Sequence, residues 1–274
     1  NSYSDDDSDY SSSSANSVHS GAPSMSEIGR KDDSTNAYEA GKSIGSLMSA
    51  YGLNLDLAPV ADVLSGNSNG IGDRTFGTDA QTVSDMASEV IRGIQEKDVN
   101  AAMKYFPGYG AASSNMSGFP VINSSLDELK KKEFLPYSNA IAQGLDFIMV
   151  GHISVPNVTG DDTPASLSEK MISEVLRKDL GFKGIVMTDY LNDKTIVKNY
   201  SAADAAVKAI QAGADLLLEP DDLEAAYEGV LRAVKKGDIT EDRLDESIYR
   251  ILRVKISMQD ESSDATESES VSDY

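Results

Sequence analysis

Five apolar runs recur along this chain, and each leads into a polar or charged residue: LNLDLAPVADV, VNAAMKYF, LDFIMVGHISVP, GIVMTDY and ADLLLEP. They are apolar without strict alternation, as strands buried on both faces must be. Helical periodicity fills the intervals. Ala37, Ala40, Ile44, Leu47 and Met48 mark a helix over Ser34–Tyr51, and Val83, Met86, Ala87, Val90, Ile91 and Ile94 mark another over Asp79–Glu96. SLDELKKKEFLPYSNAIAQG reads as one helix, with Ser125 as N-cap and Glu128 at the capping-box position. SEKMISEVLRKDLG reads as a helix between Ser168 as cap and Gly181 as stop, followed by SAADAAVKAIQAG. Two closing helices are expected at about Leu223–Lys236 and Glu241–Ser257.

Strands alternating with helices predict a parallel sheet covered by helices. The choices are a (β/α) barrel and an open doubly wound sheet. No glycine fingerprint of the dinucleotide-binding kind follows the first strand. Asp62, Lys104, His152, Asp189 and Glu219 all lie in or just after a strand, so they converge on one rim. That favours a barrel with a site at its carboxyl face. Five strands do not close an eight-stranded barrel, so the expected fold is a (β/α)8-type, TIM-like barrel incomplete at the N-terminus. An incomplete barrel leaves an edge for a partner or a second copy to cover.

The 274 residues suffice for one large α/β domain or two small ones. Residues 1–20 and 259–274 are Ser/Asp/Glu-rich and nearly free of large aliphatics, so they are expected to be a disordered leader and a disordered acidic tail around a domain at 21–258. The net charge of −21 disfavours nucleic acid and anionic membranes as partners. No apolar run reaches the length of a membrane span. The absence of cysteine excludes thiol nucleophiles and leaves the compartment open. The chain opens on Asn, which suggests a processed or excised piece. The Ser/Asp leader suits a linker, which favours an extracellular or cell-surface location.

Asp189, at the end of an apolar strand, is the sharpest chemical candidate: nucleophile, base or cation anchor, or else a turn carboxylate. Lys104 and Arg74 suit a polyhydroxylated or anionic ligand. Arg74 is equally placed to pair with Asp73 or Asp62, and Asp62 to accept from ligand hydroxyls. His152 is one of two histidines. A lone strand histidine is more often a satisfied core residue than a catalyst, and with no cysteine it builds no usual zinc site. Glu219 reads as a solvated carboxylate at a helix start. No phosphate loop and no Gly-x-Ser-x-Gly elbow occur, and no cofactor is expected.

Taken together, NLDLAPVADV, GDRTFG, KYFPGYG and TPASLSEKMISEVLRKDLGFKGIVMTDYL resemble, in order, the motifs of the N-terminal barrel of glycoside hydrolase family 3, in its β-N-acetylhexosaminidase-like subgroup. The resemblance covers nearly all of Gly21 to Met258. It implies a retaining glycosidase acting on terminal β-linked N-acetylglucosamine or a related glycoside, with a role in cell-wall carbohydrate metabolism. Asp189 falls on the family's nucleophile. Asp62, Arg74, Lys104 and His152 fall on positions that line or support the sugar pocket. In the subgroup the acid/base is a histidine in the loop after the lysine motif, assisted by an aspartate.

This sequence departs from the family pattern in that loop. Tyr105 and Tyr109 stand where the lysine motif carries histidines, and Asn115 and Ser117 stand where the Asp and His of the acid/base pair are expected. Serine lacks useful acidity near neutral pH, so the resemblance implies slow hydrolysis, or sugar binding without turnover.

Overall fold

A computed structural model describes residues 23–65, 71–113 and 118–269, with side chains to Met258. It opens on α1 (Met25–Lys31), capped by a Ser24/Glu27 capping box, and α2 (Ser34–Ala50), capped by Asp33. Then follow β1 (Leu55–Asp56), α3 (Ala80–Gln95), β2 (Asn100–Phe106), α4 (Leu126–Lys131), α5 (Leu135–Ala142), β3 (Phe147–Val150) and α6 (Pro156–Thr159). A π-helix spans Lys170–Asp179. After it come β4 (Ile185–Tyr190), α7 (Lys194–Asn199), α8 (Ala202–Ala212), β5 (Leu216–Leu218), α9 (Leu223–Lys236) and α10 (Glu241–Glu269).

The five strands pair in chain order, all parallel, and curl into a half-barrel. Side chains alternate between its faces as a period of two requires. Ala101, Met103, Ile148, Val150 and Val186 point outward into the layer shared with the helices. Ala102, Tyr105, Phe147, Met149, Ile185 and Met187 line the concave side, against which α10 sets Val254. The barrel-type fold expected from sequence is observed, as a half-barrel of the described strands.

Three local expectations change. The single helix over residues 125–144 is two, because Pro136 has no N–H for an interior turn and instead opens α5. The helix after Ser168 is a π-helix, yet Ser168 still meets its first turn, its Oγ accepting from the Met171 amide. The last helix runs on past Ser257, and the backbone of 259–269, expected as part of a tail, continues it. Leader residues 1–20 lie outside the described residues.

One carboxylate ties the last helix to the lower end of the sheet. The side chain of Asp215, just before β5, has no exposed surface. Its Oδ2 accepts from Arg177 Nη2 at 2.6 Å and from the Val186 amide at 2.9 Å, and its Oδ1 from Ser247 Oγ at 2.6 Å and Arg250 Nη1 at 2.9 Å. Arg243 stands 3.8 Å away and donates to the carbonyls of Ile210 and Ala214. Three guanidiniums from the π-helix and α10 thus share one anion.

Candidate active site

β4 carries the central group. Its buried run ends at Thr188, whose Oγ1 accepts from the Leu218 amide and locks β5 alongside. The next residue, Asp189, emerges half-exposed into a cleft of about 310 Å³. Ile71, Arg74, Tyr105, Tyr109, Pro120, His152, Asp193 and Thr195 complete its wall. The Asp189 carboxylate is oriented from two sides: Oδ1 accepts from the Tyr190 amide at 2.9 Å, and Oδ2 from the Tyr109 hydroxyl at 3.4 Å.

Tyr109 is the hub of the loop after β2. Its hydroxyl also accepts from the His152 amide at 3.0 Å, and its ring meets Tyr105 edge-on at a centroid distance of 5.3 Å. The ring also packs against Gly151, where a Cβ would lie 3.0 Å from Cε2, so a side chain there would press on the tyrosine ring. Burial, reinforced by the Asp189 charge, pushes the Tyr109 phenol well above its ordinary value.

The other expected residues fall around this hub. Arg74 lies exposed in a 3₁₀ turn, Gly72–Arg74, and donates from Nη1 to the Tyr105 hydroxyl at 3.3 Å. It forms no ion pair within 4 Å among the described residues; Asp73 instead accepts from Ser26 Oγ at 2.7 Å. Arg74 is thus a cation left facing the cleft. Lys104, near the end of β2, sets its ammonium 5.2 Å from the Tyr105 ring centroid. Burial first, and repulsion from Arg74 second, lower its pKa.

His152 is buried, and both ring nitrogens are engaged. Nε2 lies 2.8 Å from the Tyr190 carbonyl, which can only accept, so Nε2 carries the proton. Nδ1 then accepts from Ser166 Oγ at 2.7 Å. Burial lowers its pKa, with the hydrogen bond to the Tyr190 carbonyl acting against it. The histidine is a neutral strut under the strand end that bears Asp189.

Asp62 has no exposed surface and is not on the cleft wall. Its Oδ1 accepts from the Tyr109 amide at 2.8 Å, where Gly108, at φ 122°, bends the loop inward. Its Oδ2 has no partner among the described residues. Burial pushes its pKa up to about 7. A raised carboxylate pKa means that the folded state holds a proton the unfolded chain would release. Its stabilising contribution is therefore present below about pH 4 and lost as pH rises through about 7. Asp62→Asn, which keeps the acceptor for Tyr109, should stabilise the protein at pH 8 and leave it unchanged at pH 4, as thermal melts at both pH values would show. Equal shifts at the two values would contradict this.

Glu219 is exposed at the rim, accepts from Asn192 Nδ2 at 3.3 Å and does not line the cleft. Asn115 and Ser117 lie outside the described residues. Sequence reading missed Asp193 and Thr195, which start α7 and also face the cleft. The signal was the Asp-x-Thr at a helix start, where the Asp193 carboxylate accepts from the Thr195 amide.

The half-barrel thus gathers an oriented carboxylate, an arginine without an ion pair among the described residues and two tyrosines at the carboxyl ends of its strands, where β/α barrels carry their sites. The chain belongs to glycosyl hydrolase family 3: the model of the family's N-terminal domain matches residues 12–254. It is 30% identical over 242 residues to the β-hexosaminidase LpqI of Mycobacterium tuberculosis, a match covering 85% of this chain and 62% of that protein. It is 33% identical over 227 residues to a β-N-acetylglucosaminidase/β-glucosidase of Cellulomonas fimi, covering 78% of this chain and 40% of that protein. Among solved structures, the family 3 β-N-acetylglucosaminidase of Paenibacillus sp. FPU-7 superposes with a TM-score of 0.83 at 35% identity, over 87% of this chain and 46% of that one. The chain thus spans about three fifths of the length of LpqI and less of the other two.

Proposed function

We propose that this chain is the catalytic barrel of a retaining β-N-acetylhexosaminidase-type glycoside hydrolase, with Asp189 as nucleophile, and that it turns over slowly because its loop lacks the expected proton carrier. The observation that carries the reading is the Asp189 carboxylate, held by the Tyr190 amide and the Tyr109 hydroxyl inside a cleft that also exposes Arg74. The ligand is a terminal β-linked N-acetylglucosamine or a related glycoside. Arg74 meets its hydroxyls, while Lys104, set against the Tyr105 ring, and His152 and Asp62 support the walls.

In the first step an Asp189 oxygen bonds to the anomeric carbon as the glycosidic C–O bond breaks, its electron pair leaving on the aglycone oxygen. Water then attacks the same carbon, gives up a proton and releases the sugar, freeing the carboxylate. The aglycone oxygen needs a proton in the first step. His152 does not supply it, because both ring nitrogens are engaged. Tyr109 is a poor source, since its phenol titrates too high. It also sits 3.4 Å from Asp189, against the spacing of about 5–5.5 Å between the two groups of a retaining pair. By the family resemblance, Asn115 and Ser117 fall in the sequence where the Asp and His of the acid/base pair are expected. Hydrolysis should therefore be confined to good leaving groups. A 2,4-dinitrophenyl N-acetylglucosaminide should be cleaved slowly and Asp189→Ala should abolish that cleavage; no turnover of any aryl glycoside by folded protein would refute the enzymatic reading.

Sugar binding without turnover is the second reading, favoured by the same Asn115 and Ser117. Saturable binding of N-acetylglucosamine with no product would support it. Among the described residues the outer edge of β1 has no paired strand, and Tyr51 and Leu53, just before it, are 76% and 51% exposed, a surface for a partner or second copy to cover. Sedimentation of a strict monomer with that edge still accessible to hydrophobic dye would count against this.

A further inference from the structure

The fold uses only one face of α10. Arg243, Ser247 and Arg250 turn toward Asp215, and Val254 packs against the concave side of the half-barrel. On another face, Leu244, Ile248, Leu252 and Ile256 follow one another at four-residue intervals. Leu244 is half-buried, while Ile248, Leu252 and Ile256 are each at least half exposed. Tyr249, beside them, is exposed as well. A helix face left to solvent is normally charged or polar, so this one calls for an occupant.

The pattern is complementary to itself. A helix turns by about 100° per residue, so each step of four residues moves the side chain by about 40° around the axis. The four aliphatics therefore form one slanted ridge, of the kind that packs against the same ridge of another helix. A two-fold axis crossing this face at the level of Arg250 brings each residue opposite the one equally far on the other side of Arg250 in an antiparallel copy. Leu244 then meets the second copy's Ile256, and Ile248 meets the second copy's Leu252. The same operation sets Asp245 opposite Lys255. Both are exposed, and neither forms an ion pair among the described residues. They flank the ridge on opposite sides, each about 40° from its centre line, as the two-fold requires. Hydrophobic and charged positions thus agree on one register.

We propose that the outer face of α10 is a dimerisation surface whose occupant is a second copy of this chain. The two helices cross antiparallel about a two-fold axis at Arg250, and an Asp245–Lys255 pair on each flank sets the register. The aliphatic ridge supplies the attraction, and the exposed ion pairs select the orientation. No residue of α10 lines the cleft, so the dimer is independent of what the cleft binds.

Sedimentation velocity of the full chain over a wide range of protein concentration tests it, at physiological salt to screen the net charge of −21. A monomer–dimer equilibrium is expected. Leu252→Glu should leave a monomer at every concentration. It should not lower the melting temperature at dilutions where the parent is itself monomeric, because Leu252 is exposed in the single copy. Asp245→Lys and Lys255→Asp each put like charges in contact twice per dimer, and each should weaken the dimer about tenfold. The two reversals together should restore it, which a merely destabilised helix would not do. A monomer at all concentrations would overturn the proposal. A dimer that survives Leu252→Glu would overturn it as well, since its contact then lies elsewhere. Failure of the double reversal to restore association would overturn the two-fold register.

Discussion

Ser117→His combined with Asn115→Asp should raise kcat/KM on an aryl N-acetylglucosaminide by about 10²–10⁴-fold, the range that a positioned general acid contributes. The gain should be largest for poor leaving groups, whose oxygen needs a proton in the transition state. It should nearly vanish for a dinitrophenyl leaving group. The pH profile should acquire a basic limb as the new imidazole loses its proton. KM should change little, because the double variant keeps Arg74, Lys104 and Asp189. Uniform inactivity across leaving groups would mean that the defect lies in the pocket rather than the loop.

Asp215→Ala should cost about 3–5 kcal/mol of stability, the range for breaking a buried ion pair by removing one partner. The deletion strands Arg177, Arg243 and Arg250 around a space that held one anion, and it frees the Val186 amide at the start of β4. For a domain of this size the melting temperature should fall by roughly 10 °C. The exposed pair Lys170–Glu174 is the control, and Glu174→Ala should leave the melt unchanged. The effect bears on the site, because the same carboxylate fixes the register of β4, at whose far end Asp189 stands. A fall no larger than that of the control would show that α10 is not anchored through Asp215.

β2 to β5 were legible because each is an apolar run too short for a helix and bounded by turn residues. The rim was legible for the same reason: a charged residue after a buried strand must surface at its end, as Asp189 does. Asp62 obeyed a different constraint. It follows the β1 segment closely, yet the loop after β2 closes over it and its carboxylate caps the Tyr109 amide. That burial depends on a contact 47 positions away in the chain. The Tyr109 hydroxyl bridges β4 and the second residue after β3 across 80 and 43 positions, so no local pattern announces it. The Asp215 cluster joins three elements in the same long-range way. The split of the helix at Pro136, by contrast, was available locally from the missing N–H.

The central claim is that Asp189 is a nucleophile in a glycoside pocket. Incubation with a 2,4-dinitrophenyl sugar bearing fluorine next to the anomeric carbon, followed by peptide mass analysis, tests it most directly. The account predicts one added glycosyl mass, stoichiometric with protein, on the peptide containing Asp189, and none on the Asp189→Ala protein. Labelling at another carboxylate, or none on folded protein that binds the sugar, would contradict it.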